Sequence, residues 1–174
     1  MHWLIAAFYA VAGVAFLLLS GRAEGLFEPR VLLGGLVLLI ALAHLAYVGV
    51  VFLLSLMSRR FRAPARQLTA ILGITVLGAC YYWGTRIDLE RVDETQRVGE
   101  ELLIELEKHK AATGACPESL DELEAFADGL PEPAIRDSKF EYSVTKDGQC
   151  LVAFHGPAFI SCSRNTEDTD WFCD

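Results

Sequence analysis

Cysteines are the residues with the most distinctive chemistry in this 174-residue sequence. Four of them, Cys116, Cys150, Cys162 and Cys173, lie in the last third of the chain, with 33, 11 and 10 residues between them. Zinc sites usually contain CxxC pairs, and the sequence has none. An even number of cysteines in one segment is typical of disulfide bonds formed in an oxidising compartment. We therefore expect all four to be oxidised and Cys80 to remain a free thiol.

Two pairings of these cysteines are open. If residues 155–157 form a three-residue loop between antiparallel strands, Cys150 faces Cys162 at a distance that a disulfide bond can bridge, which leaves Cys116 to pair with Cys173. The alternative joins Cys162 to Cys173 and Cys116 to Cys150. The expected strand register favours the first pairing.

The other polar residues form no recognisable catalytic motif. His109 and His155 are the only histidines in the second half, and no HExxH, GxSxG or P-loop sequence occurs. Oxygen-bearing side chains crowd the tail at Asn165, Glu167, Asp168 and Asp170. This cluster lacks the glycine and the terminal glutamate of an EF-hand loop, so we expect it to be solvated. We expect no catalytic residue, no bound metal and no cofactor.

Charge divides the chain into two segments. Residues 1–84 carry six arginines and two glutamates, a net charge of +4, whereas residues 85–174 carry nine lysines and arginines against 21 aspartates and glutamates, a net charge of −12. Nucleic-acid binding needs clustered cations, so the acidic segment argues against it. We predict a membrane domain over 1–84 and an acidic domain over 85–174.

Three uncharged stretches predict transmembrane helices over residues 3–20, 31–57 and 67–84. A helix needs about 20 apolar residues to cross a bilayer, and aromatic residues extend the two shorter stretches. No basic residue precedes the first stretch, which argues against a cleaved signal peptide. His44 lies midway along the second stretch, where we expect a neutral histidine that is hydrogen-bonded within a helix bundle.

The loops between the predicted spans set the orientation. The first loop balances two arginines with two glutamates, whereas the second has four arginines and no acid: Arg59, Arg60, Arg62 and Arg66. Loops rich in arginine stay in the cytoplasm. We therefore expect a multi-pass protein of a bacterial inner membrane, with a cytoplasmic N-terminus and the acidic domain in the periplasm.

The acidic segment predicts a long helix followed by a small sheet. From Ile87 to about Thr113, apolar residues recur at helical spacing, namely Val92, Gly99, Leu102, Leu103 and Leu106. Neither glycine nor proline follows Gly84 before this helix, so we expect the third span and the helix to form one rod of about 45 residues.

The remaining elements are short. The capping box Ser119–Glu122 predicts a short helix that ends at Gly129. Alternating apolar residues and a two-residue Asp147-Gly148 turn predict antiparallel strands over about 140–144, 150–154 and 159–162.

The stretch from Thr113 to Leu123, TGACPESLDEL, lies between a membrane-emergent helix and a small antiparallel sheet. It resembles type IV pilins and the pseudopilins of type II secretion over about residues 67–162. The resemblance implies an α+β pilin-like domain. Pilin precursors, however, carry a basic leader, a cleavage-site glycine and a glutamate near the start of one hydrophobic helix, and Arg66–Thr69 contains no acid. We therefore expect a pilin-like domain on a permanent three-span anchor.

These features favour a non-catalytic inner-membrane binding protein. The specific expectation is an immunity protein that neutralises a toxin acting at the inner membrane or in the periplasm, because an acidic domain attracts a cationic protein partner. The alternative is a structural accessory of a type IV pilus or secretion system. The apolar stripe should face the sheet and leave many acids outward, so the first candidates for partner binding are Glu100, Glu101, Glu105 and Glu107.

Overall fold

The computed structural model describes residues 2–22, 29–57, 65–126 and 129–174. Three long helices come first and four antiparallel strands come last. The helices are α1 (His2–Leu19), α2 (Pro29–Met57) and α3 (Ala65–Thr113), and the strands are β1 (Phe140–Val144), β2 (Cys150–His155), β3 (Ser161–Asn165) and β4 (Phe172–Cys173). Arg59, Arg60 and Arg62, on which the predicted orientation depends, lie outside the described residues.

The chain divides into two compact units. The first contains the described residues up to Ser20 and those from α2 to Arg86, and the second contains Gly21 and Arg22 together with Ile87–Asp174. Within the second unit, the Gly21 amide donates to the Asp88 carboxylate at 2.6 Å, and the Arg136 amide donates to the Gly21 carbonyl at 3.0 Å. The start of the loop after α1 is thereby fixed to the second unit.

Within the part of the chain that the structure describes, two helices are long and apolar enough to cross a membrane. They are α2, over Leu32–Leu56, and α3, over a window within Leu68–Thr113, whereas the apolar stretch of α1, Trp3–Leu19, is shorter. Only 11% of the α2 window is buried, and leucines such as Leu39 are 66% exposed. A continuous apolar surface of this size is not typical of a protein in water. The helices therefore indicate membrane association, with two candidate spans where the sequence predicts three.

Within the first unit, α1 and α3 approach closely at two glycines. A Cβ atom on Gly73 would lie 2.8 Å from the Cα of Ala6, and one on Gly13 would lie 3.1 Å from the Cα of Leu77. Small residues of this kind allow apolar helices to pack without side chains between them. His44 of α2 shares a 3.1 Å hydrogen bond with the Tyr9 hydroxyl of α1, as expected for a histidine inside a bundle.

Helix α3 runs without a break for 49 residues, which confirms the predicted rod. Its apolar stripe packs on the sheet: Leu102, Leu103 and Leu106 are at most 1% exposed and form a core with Cys150 and Val152. A second cluster surrounds Val92, Ile135, Phe154 and Cys162. Because the apolar stripe faces the sheet, the residues on the other faces of α3 point away from the sheet or lie along its edge.

The sheet has the order β1-β2-β3-β4 and is antiparallel throughout. Strand β1 has the predicted bounds. Strand β3 begins at Ser161 rather than near Phe159, and the two-residue strand β4 was not predicted. Both 3₁₀ turns, Leu120–Glu122 and Glu124–Phe126, replace the predicted short helix. Ser119 still caps the first turn by accepting from the Asp121 amide at 3.1 Å.

The hairpin between β1 and β2 has a three-residue loop instead of the predicted two-residue turn. Thr145 and Gln149 remain paired through a 2.9 Å backbone hydrogen bond, and the Gly148 amide donates to the Thr145 carbonyl at 3.0 Å. Gly148 has a φ of 75°. A turn followed by a left-handed glycine is the usual three-residue hairpin loop, and it adds one residue to the connection.

Candidate functional site

Two disulfide bonds stabilise the second unit. Cys116 is bonded to Cys150 and Cys162 to Cys173, while Cys80 is free. The favoured pairing of Cys150 with Cys162 is therefore wrong, and the alternative is correct.

The strand register explains this correction. The loop centre lies two residues further along the chain than predicted, because Gly156 pairs with Ile160 through a 2.7 Å hydrogen bond. Cys162 consequently faces Phe154 on one side and Cys173 on the other. Cys150 lies four residues from the position opposite Cys162, and it is bonded instead to Cys116, which lies between the end of α3 and the first 3₁₀ turn.

Glu100, the first predicted binding residue, is turned towards the sheet. Its carboxylate accepts hydrogen bonds from the Arg164 guanidinium and, at 2.9 Å, from the indole N–H of Trp171. The Arg164 side chain is only 15% exposed. Glu100 therefore connects α3 to β3 and to the tail, while its side chain stays 38% exposed.

Trp171 fixes the tail over this point. Its ring lies edge-on to Phe154 with the centroids 5.4 Å apart. A Cβ atom on Gly99 would lie 2.6 Å from the Trp171 ring, so the absence of a side chain at Gly99 makes room for the indole. Sequence patterns placed Gly99 in the apolar stripe but gave no signal that Trp171 packs against it.

The other three predicted glutamates follow Glu100 along α3. Glu101 and Glu107 are exposed, and Glu105 forms a 2.6 Å ion pair with Lys108. Ile104 lies between them and is 49% exposed. It lies three residues from both Glu101 and Glu107, and residues at that spacing are neighbours on one helix face. We call Glu101, Ile104, Glu105 and Glu107 the acidic face, which also carries the exposed Lys108.

Ile104 was missed in the sequence because it stands beside the apolar stripe and was not among its members. The sequence did contain a sign of its exposure. Ile104 does not fit the three-and-four spacing of the buried residues on α3, so its side chain points away from the core. An exposed apolar residue surrounded by charge resembles the centre of a protein interface, where an apolar anchor is ringed by polar groups.

The tail acids make local contacts. The Asn165 side-chain oxygen accepts from the amides of Glu167 and Asp168 at 2.8 and 2.9 Å, which closes a turn. Lys110 lies 3.7 Å from Glu167. His155, at the end of β2, lies 3.5 Å from Glu141. Within the described part of the chain, no group of three or more histidine, cysteine or acidic side chains could hold a metal ion.

Tyr142 links β1 to the proline-containing segment that follows α3. Its hydroxyl donates to the Pro117 carbonyl at 2.7 Å. Burial raises the pKa of Tyr142 above its ordinary value, and the nearby Glu122 carboxylate raises it further. Both effects disfavour the phenolate, so the tyrosine acts as a hydrogen-bond donor that holds the segment carrying Cys116.

No protein-family model, no curated protein and no solved structure matches the chain. The resemblance to pilins and pseudopilins stays a prediction. The acidic face of α3 offers exposed carboxylates and one exposed apolar side chain.

Proposed function

We propose that this chain is a non-catalytic, membrane-anchored binding protein whose acidic face captures a cationic protein outside the cytoplasm. The specific role that we propose is that of an immunity protein, which neutralises a toxin acting at the inner membrane or in the periplasm. One observation carries the proposal: the acidic face combines exposed carboxylates with the exposed side chain of Ile104. Carboxylates steer a cationic partner, and an apolar anchor holds it.

The proposed location is a bacterial inner membrane, with three spans, a cytoplasmic N-terminus and the second unit in the periplasm. Two observations support this topology. Residues 58–66, which end in the first turn of α3, contain four arginines and no acid. Two disulfide bonds lie in the second unit, and disulfide bonds persist in oxidising compartments such as the periplasm.

A photoreactive amino acid at position 104 tests the binding surface in cells. Val144 on β1 is an equally exposed apolar residue, 48% against 49%, and is the matched control position. We expect crosslinking to one cationic protein from position 104 and none to that protein from position 144. The same crosslink from both positions would contradict a specific surface on α3.

Charge reversal tests the same surface through function. Glu101→Lys with Glu107→Lys changes the acidic face, and Asp121→Lys with Asp147→Lys makes the same change in net charge at two exposed acids elsewhere. We expect only the first pair to slow association at low salt and to abolish protection of cells challenged with the toxin. If both double variants protect fully, the acidic face is not the binding site.

The length of α3 and its packing on an antiparallel sheet favour a second candidate, a structural accessory of a type IV pilus or secretion system. The crosslinking experiment separates the two functions. A crosslinked pilus or secretion subunit supports the accessory role, whereas a crosslinked secreted toxin supports the immunity role.

A further inference from the structure

The three helices of the first unit line a cavity of about 440 Å³ that is open on one side. Residues of all three helices line it, including Ala12 and Phe16 of α1, Leu33 and Leu36 of α2, and Leu77 and Tyr81 of α3. Among the lining residues that the structure describes, Tyr81 alone carries a polar side-chain atom. The cavity is therefore a pocket for a ligand made of hydrocarbon.

The open cavity is much larger than the gaps between packed side chains. Protein interiors are close-packed, with few gaps larger than a water molecule. Water does not fill an apolar cavity, because each buried water needs two to four polar partners. The volume lies within the range of about 300–1,000 Å³ that is typical of small-molecule pockets. We therefore look for an occupant that is apolar and thin.

The dimensions suit a ligand thinner than a helix of a partner protein. An α-helix with its side chains is about 10 Å across and rises about 5.4 Å per turn, so a single turn would take up about 420 Å³. One turn alone would fill the cavity. A linear alkyl chain is much thinner and can enter a space of this volume along its length.

The walls show where such a chain enters. Leu77 is 1% exposed and forms the floor, whereas Phe8, Leu33 and Leu36 are 52–62% exposed and stand at the open side. These exposed side chains belong to α1 and α2, and in the membrane location proposed above, on which this step rests, the opening would face hydrocarbon.

One wall is formed by an aromatic pair. The rings of Phe16 and Tyr81 stack with centroids 3.9 Å apart and an interplanar angle of 12°. A Cβ atom on Gly34 would overlap the Tyr81 hydroxyl, so the glycine at this position gives Tyr81 its place at the wall. The pocket is thus defined by side chains that hold one another in position.

We propose that this cavity binds one acyl chain of a membrane phospholipid. The binding is independent of the acidic face, and its test does not require a protein partner. The ligand class follows from the apolar lining, the volume and the lateral opening.

Retention of phospholipid by the purified full-length protein tests the proposal. Ala15 lines the cavity and is exposed at its opening, whereas Ala7 is an exposed alanine on the same helix outside the lining. Native mass spectrometry counts the phospholipids that remain bound to wild type, Ala15→Trp and Ala7→Trp. We expect wild type and Ala7→Trp to retain one phospholipid more than Ala15→Trp, because tryptophan at position 15 blocks the opening.

A second matched pair keeps the test decisive if Ala15→Trp fails to fold. Leu36 lines the cavity at 54% exposure, and Leu39, at 66% exposure, does not. Leu36→Trp should lose the retained phospholipid and Leu39→Trp should keep it. Equal retention by lining and control variants, or a retained molecule that has no acyl chain, would overturn the proposal. Loss of lipid with intact partner crosslinking would leave the proposed function standing.

Discussion

Neighbouring glutamates on α3 differ in what their carboxylates contact. Glu100 accepts hydrogen bonds from Arg164 and Trp171, whereas Glu101 is exposed on the acidic face. The helix rotates by about 100° between successive residues, so one carboxylate points to the sheet and the next points to solvent. The two glutamates are identical in the sequence but differ in role. Glu100 contributes to stability, and Glu101 belongs to the proposed recognition surface.

We predict that Glu100→Gln lowers the free energy of unfolding of the second unit by about 1–2 kcal/mol, because the largely buried Arg164 loses its charged acceptor. Glu101→Gln is the matched control and should change it by less than about 0.5 kcal/mol. Denaturant-induced unfolding followed by tryptophan fluorescence measures both. Equal effects for the two variants would contradict the inward role of Glu100.

Tyr142 makes the stability of the second unit decrease at alkaline pH. Burial and the Glu122 carboxylate raise its pKa, so the folded state disfavours the phenolate. The stabilisation is present below the unfolded pKa of about 10 and is lost as the pH rises through the raised folded value. We predict that wild type loses stability above about pH 10 more steeply than Tyr142→Phe does.

At neutral pH, Tyr142→Phe should cost about 1 kcal/mol, because the Pro117 carbonyl loses its donor. Unfolding is measured in a Cys80→Ala background, since alkaline pH increases thiolate and promotes disulfide exchange. Parallel pH profiles for the two proteins would show that another group causes the alkaline loss.

At the scale of elements, helices were easier to predict than strand register. The spacing of Val92, Leu102, Leu103 and Leu106 fixes the buried face of α3, because helical geometry repeats regularly over many residues. The resulting prediction of a continuous rod was confirmed. Contacts between neighbours along one helix require no information about the rest of the fold.

The register of β2 and β3 depended on one loop. A Gly-Pro sequence suggested a tip at residues 155–157, but Ala158 and Phe159 take the left-handed conformation, with φ of 57° and 65°. Residues other than glycine and asparagine rarely adopt this conformation, so sequence preferences favoured the wrong centre. When the loop centre moves by two residues, the register between β2 and β3 shifts by four residues. This shift changed the disulfide pairing.

Strand β4 and the contacts of Glu100 were not predictable for a related reason. Two residues, Phe172 and Cys173, are too short for an alternation pattern to be visible. Trp171, Arg164 and Glu100 come from distant parts of the sequence, and only the folded tail brings them together. Contacts between residues far apart in the sequence produce no periodic pattern from which they could be predicted.

The two disulfide bonds should differ in their contribution to stability. Cys116 and Cys150 are 34 residues apart, and Cys162 and Cys173 are 11 apart. Loop-closure entropy predicts that removing the first bond by paired serine substitutions costs about 4 kcal/mol and removing the second costs about 3 kcal/mol. Thiol alkylation of the denatured, unreduced protein should label only Cys80. Labelling of three or more cysteines, or a mapped peptide joining Cys150 to Cys162, would contradict the pairing.

The contact between α1 and α3 requires a glycine at one point of α3. Gly73 approaches the Ala6 backbone, whereas a Cβ atom on Gly78 would meet no atom within 4 Å. We predict that Gly73→Leu separates the two helices and lowers the thermal stability of the detergent-solubilised protein by several degrees, while Gly78→Leu leaves it nearly unchanged. A thermal unfolding assay compares the two variants. Similar melting temperatures would show that this contact does not support the bundle.

At the scale of the whole molecule, charge and hydropathy follow the same division of the chain. The arginines of the first segment are concentrated before α3, and the acids are concentrated after the apolar part of α3. Helix α3 belongs to both units and carries the chain from an apolar environment to a charged one. This division agrees with the proposal of a membrane anchor followed by an acidic domain.

The proposed topology gives the last prediction. If the arginine-rich loop is cytoplasmic, the second unit is periplasmic, and its disulfide bonds form in the oxidising compartment. Alkaline phosphatase fused after Asp174 should then be active, and a fluorescent protein that matures only in the cytoplasm should be dark at the same position. Fusions after Met57, at the end of α2, should give the opposite pattern and serve as the control. Fluorescence at position 174 with inactive phosphatase would place the disulfide bonds in a reducing compartment and overturn both the orientation and the proposed encounter with a toxin outside the cytoplasm.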